Sequence, residues 1–487
     1  MITAILLCAI SWIATTTTTA QNLTSEGCGS KRSCWFQPGG CETTDIGSCV
    51  SSVQWTTESD GVVFEFQATI RDLTNTFNGR WIAIGFSKDD RMGDDSVIEC
   101  IFKPSGDGNA YLSFNDMTHN RQLLQATTVA LAETSGQIVD DRMMCKVKWL
   151  YGGREKVFEE DRFKVFDLES RPWTMQIARG EADHYSFSKM IHSTHDGDLF
   201  PWVTTSEVHV CRNCSDEKRF QYIKDMKQTD ISRYWRYRIA TIHGILLMFA
   251  WWVLASSAIL MARFFKPLWP NTKLFGTAIW FQAHRNCLFV SVIIQVIAVF
   301  LIFLQSSFTW YGCTYECNAE AFGFKLHVNL GFSATVAALI QPFLALIRPG
   351  PDSNWRPWFN WVHWFLGMGA WLCATITFFL AVQLGKTGLH RNFQQTPYYI
   401  MGVYIATFVI CSIALEIIAS QSTMRTQKIG QHGMELNLLN GPSTEDPGAS
   451  YPPRASLRPV FLVIHLLVAI AATCWISYML IYNLEAV

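Results

Sequence analysis

Six apolar runs in the second half of the chain constrain it most: about 239–262, 275–304, 322–347, 361–384, 397–420 and 458–482. Each has the ~20 residues that a helix needs to cross a hydrocarbon core of ~30 Å. No water in that core pairs with backbone N–H and C=O groups, so each run is expected to form a transmembrane α-helix. The first half, residues 21–230, is polar and turn-rich and reads as a secreted soluble protein. Basic residues take sides. Arg263, Lys266, Lys273, Arg348, Arg356, Arg425, Lys428, Arg454 and Arg458 follow the first, third and fifth runs, whereas the opposite loops hold only Lys386 and Arg391. The positive-inside rule therefore places the helix 1–2, 3–4 and 5–6 loops in the cytoplasm and the N-terminal half outside. A net charge of −1 gives no argument for a nucleic-acid partner.

Four histidines fall inside these runs. His243 and His327 come early in runs that descend from outside, and His284 and His363 come early in runs that rise from the cytoplasm. At 1.5 Å per residue each lies within about 14 Å of the face where its helix begins. Two therefore share an outer level and two an inner level. A lone intramembrane histidine serves a pore or proton relay as readily as a metal, because polar groups in lipid are costly and mark function generally. Four, paired by depth on alternating helices, fit two stacked hemes clamped between facing helices. A di-metal centre is disfavoured, since the levels lie far apart and carboxylates are scarce at both. The segments His243-Gly-Ile-Leu-Leu-Met-Phe-Ala-Trp, Trp280-Phe-Gln-Ala-His284-Arg, Leu326-His327 with Gly331, and Phe359-Asn-Trp-Val-His363-Trp resemble the cytochrome b561 family. The resemblance covers about 235–485 and implies that these histidines are the axial ligands of two heme b groups.

The first twenty residues read as a signal peptide ending at Ala20. Secretion fits an even set of eight cysteines, Cys28, Cys34, Cys41, Cys49, Cys100, Cys145, Cys211 and Cys214, whose connectivity spacing alone does not reveal. Cys313 and Cys317, in the outer loop after the second run, form a further candidate disulfide. Asn22 and Asn213 head glycosylation sequons on the same side. Segments 63–70, 79–86, 97–102, 143–150, 173–178 and 206–211 have strand character and are separated by turn clusters, which predicts an all-β sandwich. Trp81-Ile-Ala-Ile-Gly-Phe-Ser, then Arg91-Met92-Gly93-Asp94-Asp95-Ser96-Val97 and Cys100, resemble a DOMON domain over roughly 30–211. Some members of that family hold a b-type heme between Met and His. The resemblance carries the methionine onto Met92, and of His184, His192 and His195 it favours His192. The segment Ala262-Arg-Phe-Phe-Lys-Pro-Leu-Trp is similar to the branch that fuses DOMON to cytochrome b561, the ferric-chelate-reductase-like or stromal-cell-derived-receptor-2-like proteins.

The expected organisation is a signal peptide at 1–20, a DOMON ectodomain at 21–211, a linker at 212–238 and a six-helix membrane domain at 239–487. A stretch at 421–457 is expected to be a flexible cytoplasmic loop. Three hemes in series would carry single electrons from a cytosolic donor, which the resemblance implies is ascorbate, to an outside acceptor such as a ferric or cupric chelate. Lys266, Arg285 and Arg348 are candidates for the anionic donor's site. The rival expectation is a non-enzymatic receptor whose DOMON domain recognises a ligand and whose bundle is a heme-bearing anchor.

Overall fold

The computed structural model describes residues 23–73, 78–183, 185–224, 231–269, 272–312, 322–350, 352–440 and 454–486, with only the backbone at 44, 422–440 and 485–486. The signal segment, Asn22, His184, Cys313 and Cys317 lie outside the described residues. The chain divides into two compact units, Met1–Thr229 and Asp230–Val487.

The first unit is a β structure. In chain order its strands are β1 (Ser33–Gln37), β2 (Ser51–Thr57), β3 (Gly61–Thr69), β4 (Gly79–Ser87), β5 (Asp95–Phe102), β6 (Asp107–Asp116), β7 (His119–Gln122), β8 (Leu131–Val139), β9 (Arg142–Leu150), β10 (Thr174–Ala182), β11 (Trp202–Val203) and β12 (Tyr222–Ile223). They form one hydrogen-bonded path, β11-β10-β4-β5-β6-β8-β9-β3-β2-β1-β12, with β7 paired to β6. The path folds over on itself. Phe86 of β4 meets Phe64 of β3 at 5.3 Å and Trp149 of β9 at 5.9 Å between ring centroids, although β4 is bonded to neither strand. The Cys100–Cys145 disulfide joins β5 to β9 across the two layers. The all-β expectation holds, in the form of a single sheet folded into two layers.

Strand alternation explains the faces. Ile82, Ile84 and Phe86 enter the main core, while Trp81 and Ala83 pack with Val97 and Ile101 on the other side of the sheet. The polar positions of β3 are covered too: Gln67 donates to Ser52 at 3.1 Å, and Glu65 pairs with Lys146 at 2.9 Å.

Two expectations fail here. Segment 206–211 is no strand; only Val208 bridges, to Trp173. Residues 212–224, read as linker, belong to the first unit, because β12 runs parallel to β1 with Cys34 opposite Tyr222. The others of the eight expected disulfide cysteines pair as Cys28–Cys34, Cys41–Cys49 and Cys211–Cys214, and Asn213 is exposed between the last two.

The second unit holds six helices long and apolar enough to cross a membrane: α1 (Arg233–Phe264), α2 (Ile279–Gln305), α3 (Phe322–Leu346), α4 (Arg356–Ala381), α5 (Thr396–Asn440) and α6 (Leu457–Tyr482). The protein is a multi-pass membrane protein. Large side chains such as Phe289, Ile293 and Phe300 of α2 are exposed, as lipid solvation permits. Trp252, Trp371, Tyr404 and Phe408 interlock inside, with Trp252 stacked on Tyr404 at 4.6 Å. Residues 249–255 of α1 form a π-helical stretch, which periodicity did not reveal. Its wider turn is secured by Ser291 of α2, whose hydroxyl donates to the Ala250 carbonyl at 2.9 Å. The backbone of α5 stays helical to Asn440, so the first part of the expected 421–457 loop continues the helix.

Candidate heme sites

The four expected histidines occupy α1 to α4, one each, and three share a device. His243 Nδ1–H donates to the Ala298 carbonyl on α2 at 2.9 Å, His284 Nδ1–H to Ala258 on α1 at 3.0 Å, and His327 Nδ1–H to Thr377 on α4 at 3.0 Å. A carbonyl oxygen only accepts, so in each ring the proton sits on Nδ1 and Nε2 carries the lone pair. A hydrogen bond of this kind, from the ring nitrogen that faces away from a metal, holds a metal-ligating histidine in one tautomer and raises its basicity.

The acceptors also establish two levels. Ala298 lies fourteen residues beyond His284, Thr377 fourteen beyond His363, and Ala258 fifteen beyond His243. At 1.5 Å per residue each interval is about 21–22 Å. His243 and His327 therefore share one level, within electrostatic reach of each other, and His284 and His363 share the other.

The second pair can be tested for fit. The His284 and His363 ring centroids are 6.3 Å apart, with planes inclined at 67°. Two nitrogen–metal bonds of about 2.1 Å, plus about 1.1 Å from each nitrogen to its ring centre, sum to about 6.4 Å. The ring separation therefore matches what two histidines holding one metal between them would need. His363 departs from the pattern: it stacks on Phe359 at 5.7 Å, and its buried Nδ1 has no hydrogen-bond partner among the described residues.

Cations gather beside this pair. The Arg285 and Arg348 guanidinium groups lie 5.7 and 5.8 Å from the Phe281 ring, and the Lys266 ammonium lies 5.3 Å from Trp280. None of the three has an acidic partner among the described residues. Burial, then repulsion from Arg348, Arg263 and Arg356, holds the Lys266 ammonium below its ordinary lysine value. Burial and Arg356 do the same to Arg348. The three expected donor-site residues thus converge, and Arg356, read in the sequence only as a loop charge, joins them.

In the first unit, Met92 and His192 sit on segments that lean over the same sheet face. Trp81, Ala83 and Gly85 of β4 point away from the core, and their register partners Gly180, Ala178 and Gln176 of β10 share that side. Gln176 Nε2 donates to the Arg91 carbonyl at 2.8 Å, which draws the Met92 loop over the Gly85 level. Gly93 adopts φ 117°, a conformation that needs glycine, and lets the chain turn back into β5. Trp81 Nε1–H donates to the Met190 carbonyl at 3.1 Å, which places the His192 segment over the Trp81 level. Those two levels are about 13 Å apart along the strand. Between them the floor is made of Ala83, Gly85, Ala178 and Gly180. A Cβ at Gly180 would come 2.8 Å from the Trp81 indole nitrogen, so that indole depends on the missing side chain.

His192 is half-buried and its Nδ1–H donates to the Ser193 carbonyl at 3.0 Å, whereas His195 is exposed. A buried ion pair, invisible in the sequence, borders the same face. Glu99 accepts from Ser113 Oγ at 2.6 Å, from Gln122 Nε2 at 2.8 Å and from Lys189, three residues before His192. Burial pulls the Lys189 ammonium below its ordinary value, with Glu99 opposing.

Sequence reading also missed His465, a fifth intramembrane histidine. It is fully buried on α6, and its Nε2 bonds to Ser256 Oγ at 2.8 Å. Among the described residues no second histidine bonds to it or stacks on it, whereas pairing of histidines by depth was the signal that singled out the other four.

A DOMON family model matches residues 47–171. A putative ferric-chelate reductase 1 homolog of Drosophila melanogaster is 27% identical over 82% of this chain and 54% of the relative. Ferric-chelate reductase 1 of Homo sapiens is 25% identical over 84% of this chain and 60% of the relative. A cytochrome b561 and DOMON domain-containing protein of Arabidopsis thaliana is 26% identical over 37% of this chain and 42% of the relative. The chain thus spans little more than half the length of the animal relatives it matches. No solved structure matches it. The chain thus carries a match to the DOMON family model at 47–171 and is similar over most of its length to proteins named for ferric-chelate reductase 1 and, over a shorter stretch, for cytochrome b561 with DOMON.

Proposed function

We propose that this protein is a transmembrane oxidoreductase that passes single electrons from a cytosolic donor, ascorbate, to an extracellular ferric or cupric chelate. The observation that carries this reading is the set of three interhelix bonds from His243, His284 and His327, each made through Nδ1 and leaving Nε2 free to take a metal. His243 with His327 and His284 with His363 would each hold one heme b, and Met92 with His192 a third. A b heme held between two such residues would supply reversible ferric–ferrous exchange with little ligand rearrangement.

The chain's own residues do the rest. The carbonyls of Ala258, Ala298 and Thr377 hold the imidazole planes, so little reorganisation accompanies each electron. Lys266, Arg285 and Arg348 attract an anionic donor to the inner level. Thioether is the poorer donor to ferric iron, so a heme held by Met92 in place of a second histidine would have the higher potential, which would favour outward flow. With the N-terminal unit outside and the helix 1–2, 3–4 and 5–6 loops cytoplasmic, membrane voltage adds ~2.3 kcal/mol per 100 mV for one charge moved across. The names of the animal relatives support a ferric chelate as acceptor.

The test is vesicle transfer. The full chain is reconstituted with ascorbate sealed inside and a ferric chelate outside, and ferrous product is followed with an impermeant chelator. Outside reduction that His243→Leu abolishes supports the proposal. A heme-loaded chain that transfers no electrons points instead to the receptor.

A further inference from the structure

We propose that Gln341 of α3 is the positioning residue for His363, its amide oxygen taking the Nδ1 proton that no backbone carbonyl takes. The inference rests on the reading that His284 and His363 hold one heme. Gln341 Nε2 already donates to the His363 carbonyl at 3.2 Å, which seats the amide beside this histidine. Among the described residues its other end, Oε1, is a buried acceptor without a donor, and His363 Nδ1 is a buried donor without an acceptor. Buried polar groups are seldom left unpaired, and here two complementary orphans belong to residues already in contact.

Spacing supports the pairing. On α2 and α4 the residue fourteen positions beyond that helix's own histidine supplies the orienting carbonyl, Ala298 and Thr377. On α3 the residue fourteen beyond His327 is Gln341. Pro342 follows it inside the helix, where a proline ring crowds the carbonyl four residues back and disturbs the local backbone. In the proposal the Gln341 side chain takes the place that a main-chain carbonyl takes on α2 and α4. Stacking on Phe359, inclined at only 10°, sets the plane of the His363 ring but satisfies neither of its nitrogens.

An acceptor on Nδ1–H makes the imidazole a stronger donor and stabilises ferric iron, so removing it raises the potential and a carboxylate acceptor lowers it. The test is a redox titration of the purified, heme-loaded full chain carrying Gln341→Met, Gln341→Asn or Gln341→Glu. In Met and Asn variants the potential of one membrane heme rises, by about tenfold in its reduction equilibrium or about 59 mV for one electron. In the Glu variant it falls, while heme content and the other membrane heme stay unchanged. Shifts of the same sign in all variants, or none, overturn the proposal; Met and Asn decide it if Glu does not fold. Retention of both membrane hemes by His284→Leu would instead remove the reading beneath it.

Discussion

Glu99→Gln is the most informative change in the first unit, because it breaks one interaction while barely altering shape. The Glu99 side chain is fully buried and that of Lys189 is 14% exposed. Without the carboxylate charge, the ammonium keeps Asn120 Oδ1, at 2.8 Å, as its remaining strong acceptor. Stranding one member of a buried pair costs about 3–5 kcal/mol if the structure stays closed. The segment has a cheaper way out. It is tied to the sheet by Met190 N–H to the Glu181 carbonyl, Asp183 N–H to the Ser188 carbonyl and Trp81 Nε1–H to the Met190 carbonyl. At about 1 kcal/mol net each, those three bonds cap the loss at about 3 kcal/mol, after which Lys189 swings into water. Amide exchange across 185–195 should then accelerate roughly a hundredfold, with the core strands protected as before. Peptide-level hydrogen exchange on the full chain reads this out. Glu99→Gln with Lys189→Met, neutral and of similar volume, should restore most of the protection. Exchange within threefold of the unaltered protein in Glu99→Gln would show that the pair does not hold the segment.

Other consequences follow from named residues. Met92→Leu should remove one heme per chain and lower vesicle transfer more than tenfold, while ascorbate still reduces the remaining hemes. Replacing Cys100 and Cys145 with Ala opens a cross-link spanning 45 residues between the layers, and denaturant unfolding of the first unit should lose about 4 kcal/mol. Lys266→Gln removes one unpaired cation beside His284. The KM for ascorbate should rise about fivefold, near 1 kcal/mol, with kcat unchanged and a weaker salt dependence.

What was legible in the sequence was what has a local or additive signal. Apolar length located six spans within a few residues, and depth along a helix sorted four histidines into two levels, because rise per residue is nearly constant. Strand alternation found β3, β4, β5, β9 and β10, whose apolar faces are strong. It passed over β1 and β2, where Ser33, Gln37, Ser51 and Gln54 are buried through hydrogen bonds. The assignment of 212–224 as linker failed because β12 is made by a partner nearly two hundred residues away, which leaves no trace in its own composition. The Glu99–Lys189 pair, the Gln341 amide and the π stretch of α1 are likewise long-range effects, visible only once the helices and strands are in place. His192 stood above His195 through flanking residues, and the structure adds a physical difference in burial.

The measurement nearest the central claim is heme stoichiometry of the purified full chain, with reduced-minus-oxidised spectra after adding ascorbate. Three b hemes per chain, all reducible, is the predicted result, with two lost when His243 and His284 are both replaced by Leu. A chain that binds no heme, or whose hemes ascorbate leaves oxidised, would contradict the electron-transfer account. Two hemes that both disappear in the double variant would confine the error to Met92 and His192.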